Sequence, residues 1–84
     1  MDKANYAMIK GDFAEAERLY RLQIEELEAK LGPNHFDIAV VLHSLALVLE
    51  IQNKLEESQQ IRERTSVILM HQHMDETRAA QPGE

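Results

Sequence analysis

The sequence predicts an all-α protein with an internal repeat, and three observations carry that prediction. Trp is absent, aromatic residues make up 5% of the chain, and there are only three Gly and two Pro, so the chain offers little for a sheet and much for helices. Phe13, Ala16, Tyr20, Ile24, Leu27 and Leu31 recur at spacings of three and four, the stripe of a helix that buries one face. Sliding the sequence on itself by 42 residues, Phe13 onto Leu55, also sets Ala16 on Ser58, Leu19 on Ile61, Leu27 on Leu69, Ala7 on Leu49 and Ile9 on Ile51. Apolar meets apolar at most of these pairs, which is how a repeat architecture reads.

The elements follow from the breaks between them. A short helix over 2–10 is closed by Gly11, which takes the left-handed conformation without a steric cost. A second helix over 12–31 starts at once, with Asp12 and Glu15 at the spacing of a capping box. Leu31-Gly32-Pro33 ends it, since Gly permits the terminating turn and Pro cannot continue a helix. Asn34 with Asp37 then predicts the cap of a third helix over 35–52. In that helix Ile38, Ala39, Val40, Val41, Leu42, Leu45, Ala46, Leu47, Val48, Leu49 and Ile51 leave almost no polar face, so it is expected to be buried on several sides. Asn53 repeats the role of Gly11 and, with Glu56, predicts the cap of a fourth helix over 54–74. The expected organisation is one helical domain over 1–77 and a flexible tail over 78–84 containing Pro82-Gly83.

Composition narrows the function. At 84 residues, 44% hydrophobic and 29% charged, the chain reads as one folded domain whose core is small enough to need neighbours. A net charge of −6 with no basic run argues against nucleic acid and against an anionic membrane surface. No apolar stretch approaches the length of a spanning helix, and the start lacks the pattern of a secretion signal. A soluble, cytoplasmic protein is expected. The absence of cysteine removes disulfides and thiolate chemistry.

No nucleophile with a base, phosphate-binding glycine loop or paired carboxylate is visible. His43 and Ser44 are adjacent, and neighbours on a helix diverge by about 100°, so they form no dyad. His71 and Asp75 stand at i and i+4, but spacing supplies no third ligand. The chain is read as non-enzymatic, with no cofactor and no metal. Glu15, Glu17, Glu25, Glu26 and Glu28 read as a solvated face with Arg18, Arg21 and Lys30 as local partners.

Three stretches point to a family. Leu31-Gly32-Pro33-Asn34-His35-Phe36-Asp37-Ile38-Ala39 and Leu42-His43-Ser44-Leu45-Ala46 resemble the Leu-Gly helix end, His-Pro-Asp linker and Leu-Asn-Asn-Leu-Ala segment of the tetratricopeptide repeats found in kinesin light chains. Gly11-Asp12-Phe13-Ala14-Glu15-Ala16-Glu17-Arg18-Leu19-Tyr20 resembles the start of the second helix of such a repeat. The resemblance covers residues 4–70. It implies antiparallel helix pairs stacked as an α-solenoid of about 1.5 to 2 repeats, with the first helix of each pair lining a groove for a protein or peptide, and it implies no activity. On the third helix it places Val40, His43, Ser44, Leu47, Glu50 and Ile51 in that groove. His43 and Ser44 replace the two Asn of the family segment, Phe36 replaces the linker proline, and Ser58 and Thr65 replace small alanines, so the second pair is expected to pack more loosely. By the repeat offset the first helix lacks about two turns ahead of Met1, so the chain is expected either to be cut from a longer array or to complete itself by association.

Val67, Ile68, Leu69, Met70 and Met74 exceed what one face of the last helix can bury. Val67, Ile68, Met70 and Met74 are therefore expected to meet a second copy, most simply in a two-fold homodimer. Two functions follow: a module presenting a groove to a partner protein or peptide, and a self-assembling helical unit with no separate ligand.

Overall fold

Left-handed residues and helix caps cut the chain into four helices: α1 (Lys3–Lys10), α2 (Phe13–Leu31), α3 (Phe36–Ile51) and α4 (Leu55–Ala79). The computed structural model describes the backbone of residues 3–79 and the side chains of residues 3–72. Gly11, Gly32 and Asn53 all have positive φ, at the three positions where the sequence predicts a helix to stop. The expected boundaries agree to within one residue, except at the end of α4. There the helix runs on to Ala79, past the predicted end at 74 and into the first residues of the predicted tail, because no Gly or Pro lies between Leu55 and Pro82.

The two inter-helix turns repeat bond for bond at the 42-residue offset. Gly11 N donates to Met8 O at 3.1 Å and Asn53 N to Glu50 O at 2.9 Å. Asp12 N donates to Ala7 O at 2.9 Å and Lys54 N to Leu49 O at 2.8 Å. Ala16 N and Ser58 N each donate at 3.0 Å to the residue that opens their helix, Asp12 and Lys54. The repeat is thus a property of the backbone as well as of the sequence.

This geometry corrects two of the predicted caps. Asn53 is the left-handed residue itself, φ 64°, so Lys54 occupies the cap position and no Asn53–Glu56 box forms. In the linker Pro33 and Asn34 form a turn, and His35 caps α3 from an extended conformation, its Nδ1 accepting from Asp37 N at 3.0 Å. Asp12 does cap α2, accepting from Glu15 N at 3.4 Å, but the Glu15 carboxylate turns to Arg18 at 2.7 and 2.9 Å, so only half of the box exists.

The helices form antiparallel pairs, α1 with α2 and α3 with α4, and α3 also packs on α2. The result is elongated, 52 × 25 × 20 Å. More than half of the core comes from α3, which buries Ile38, Ala39, Val41, Leu42, Leu45, Ala46, Val48 and Leu49. Ala4 and Ala7 of α1, Ala16, Tyr20 and Ile24 of α2 and Ile68 of α4 complete it. The expectation for α3 therefore holds on every side but one. The two residues in place of small alanines are both hydrogen-bonded: the buried hydroxyl of Ser58 donates to Glu50 Oε2 at 2.9 Å and the half-buried one of Thr65 to Ile61 O at 2.9 Å, so neither replacement leaves an unpaired polar atom.

Glu17 fastens α2 to the α3–α4 turn. Its oxygens accept from Gln52 Nε2 at 2.9 Å, Lys54 Nζ at 3.0 Å and Arg21 Nε at 3.1 Å. Burial pushes its carboxyl up, but the hydrogen bonds from Lys54, Gln52 and Arg21 outweigh this and hold it below the ordinary 4.5. A carboxyl depressed in the folded chain adds stability above its unfolded pKa and loses it as pH falls through the folded one. The melting temperature is therefore expected to drop on acidification below pH 4.5, and Glu17→Gln to show a lower melt at neutral pH with a shallower acid loss. An acid loss in E17Q as steep as in the unmodified chain would remove Glu17 from this role.

Candidate functional site

The candidate site is the one face of α3 that the core does not use. With eight positions of α3 turned inward, Val40, His43, Leu47 and Ile51 fall together at spacings of three, four and four on the outer side, as helical geometry requires. Val40 is 53% exposed, Leu47 39% and Ile51 52%, so α1 does not cover this apolar seam. The three side chains form a row of apolar surface left open to water.

The upper half of the seam opens into a cleft. Phe36, Ala39, Val40, His43 and Ser44 of α3 and Thr65 and Leu69 of α4 enclose about 320 Å³, and the walls are mostly carbon. Three of the residues predicted for the groove, Val40, His43 and Ser44, meet here. Leu47 and Ile51 lie further along α3, beyond the cleft. Phe36 and Leu69 were not predicted for the groove, although Phe36 stood out as the residue in place of the linker proline and Leu69 as part of the apolar excess of the last helix. Thr65 was noted only for its departure from alanine.

Glu50 is engaged inside the chain. It accepts from Ser58 Oγ at 2.9 Å and Arg62 Nε at 2.7 Å, and the second Arg62 amino group also bonds it. Arg62 first, then Ser58, with the charge of nearby His43, hold its carboxyl below the ordinary 4.5. The site thus offers an apolar strip with one exposed imidazole and a fixed, neutralised carboxylate at its lower end. That arrangement has the shape and the mostly carbon lining to hold an apolar segment of another chain.

Residues 1–66 match a family profile described as Tetratricopeptide repeat. The chain belongs to the tetratricopeptide-repeat family. Tetratricopeptide repeats are scaffolds for protein–protein interaction, and the helix order and the 42-residue backbone repeat described above are those of such a scaffold. Comparison with curated proteins and with solved structures gave no match.

The residues predicted to meet a second copy divide within this tetratricopeptide-repeat fold. Val67, at 49% exposed, and Met70, at 62%, point outward, as does Leu69. Ile68 does not: it is 0% exposed and belongs to the core. The inward stripe of α4 runs Ser58, Ile61, Ile68, and one residue's step of about 100° separates Ile68 from Val67. Met74 lies outside the described side chains. Among the described residues no helix is long and apolar enough to cross a membrane, and no three His, Cys, Asp or Glu stand close enough to hold a metal ion; the side chain of Asp75 lies outside them.

Proposed function

We propose that this chain is a protein-interaction module that receives an apolar segment of a partner protein or peptide along the outer face of α3. The observation that carries this reading is the uncovered seam of Val40, Leu47 and Ile51 leading into the cleft at Phe36 and Leu69. Burial of these side chains against a ligand would supply the driving force, roughly 25 cal/mol for each Å² removed from water. An amphipathic helix laid in the groove, with its anchors on one face, suits a seam of this spacing. A net charge of −6 favours a protein partner over nucleic acid or an anionic lipid surface.

A second reading, self-assembly, is favoured by the exposed Val67 and Met70, which would pair across a two-fold axis in a homodimer. One set of measurements separates the two. Peptides selected on the chain from a displayed random library are expected to lose at least about tenfold in affinity on Leu47→Glu, or about 1.4 kcal/mol, with the solution mass unchanged. A Val67→Glu variant is expected to keep the peptides. If Leu47→Glu instead lowers the mass from dimer to monomer and leaves peptide affinity intact, the seam is an assembly surface and the groove reading falls.

A further inference from the structure

The turns inside the two helix pairs match bond for bond at the 42-residue offset, so each residue of the first pair can be compared with the residue at the same offset in the second. In the first pair Met8, Ala16 and Tyr20 form an apolar corner: Met8 packs on the core, and Ala16 and Tyr20 are buried. Ile24, also buried, continues this surface, and it shares a cavity wall with Leu42 and Leu45 of α3. This is the seat on which α3 lies. At the 42-residue offset the same four positions of the second pair are Glu50, Ser58, Arg62 and Ser66. Glu50, Ser58 and Arg62 are joined by the hydrogen bonds and ion pair described above, and Arg62 and Ser66 are exposed.

We infer that the outer face of the α3–α4 pair is a polar cap, which does not seat a further helix as the α1–α2 pair seats α3. The apolar corner has been exchanged as a set for three groups that satisfy one another, the Ser58 hydroxyl from a buried position and the Glu50 and Arg62 side chains in reach of water. An apolar helix laid across them would strip solvent from the Glu50–Arg62 pair, and the Coulomb attraction gained inside rarely repays that loss. Solenoids need such a polar face wherever stacking stops, because a bare apolar seat would recruit any helix that fits it. The cap leaves the cleft at Phe36, Val40 and Leu69 untouched, so it stands whether or not that cleft binds a partner.

The test restores the first pair's residues in the second, as Glu50→Met, Ser58→Ala, Arg62→Tyr and Ser66→Ile together in the full chain. Light scattering behind a sizing column is expected to give a mass that climbs with concentration to at least about twice that of the unmodified chain, as an unclosed apolar face associates, with the helical circular dichroism retained. A helical variant whose mass tracks the unmodified chain at every concentration would overturn the cap. Should the variant not fold, the unmodified chain decides: a soluble paramagnetic agent is expected to attenuate the side-chain proton signals of Arg62 and Ser66 as strongly as those of exposed Glu56 and Glu63. Signals at Arg62 and Ser66 that stay protected would show that something already sits on this face.

Discussion

Replacing Ile68 by glutamate is expected to unfold the chain at room temperature, while Val67→Glu one residue earlier leaves the fold intact. Ile68 has no exposed surface and Val67 is half exposed. A carboxylate forced into the Ile68 site would enter the apolar core, and a buried charge left without a partner costs about 3–5 kcal/mol out of a total stability that for small domains is about 5–15 kcal/mol. At position 67 the same side chain enters water, with an expected change of about 0.5 kcal/mol or less. Circular dichroism of the two variants, with urea melts of whichever remains helical, reads the contrast directly. Two variants of equal stability would mean that α4 is not anchored through Ile68.

Leu49→Ala is expected to destabilise the chain by about 2–5 kcal/mol, the cost of lost burial plus the cavity left behind. Leu49 is fully buried near the C-terminal end of α3, and its carbonyl also accepts the Lys54 amide that shapes the turn into α4. Truncation leaves that bond in place, so the loss isolates packing. Val40→Ala on the same helix, at a half-exposed position, serves as control with an expected change of about 0.5 kcal/mol. Denaturant midpoints at constant m-value measure both; a shift at Leu49 no larger than at Val40 would deny α3 its place at the centre of the core.

How much of this was legible in the sequence depended on which interaction set each feature. Helix ends at Gly11, Gly32 and Asn53 could be read because a left-handed backbone is a property of single residues. The repeat was legible because the same turn chemistry appears twice. The caps of α3 and α4 were misplaced by one residue, since capping depends on which neighbour adopts the turn, and His35 competes with Asn34 only through the bend that Pro33 imposes. Val40, Leu47 and Ile51 were placed on one groove by the family resemblance, and their exposure needed the structure. Ile68 was misread because an apolar run of Val67 to Met70 gives no phase, and only the packing of α4 on α3 decides which member turns inward. The Glu50–Ser58–Arg62 cluster spans two helices, so no local pattern announced it.

Each helix packs chiefly on its neighbour in sequence, α1 on α2, α2 on α3 and α3 on α4. Contacts of this kind close short loops, so the entropy spent before each contact forms is small and folding falls in the range of microseconds to milliseconds, on the order of other low-contact-order helical chains. Forces or fluctuations applied at either end are resisted by one interface at a time. The chain would yield from its flanks, α1 first because it is shortest and holds α2 with Ala4 and Ala7, while the α3 centre persists as the last structured remnant from which the rest can wind back.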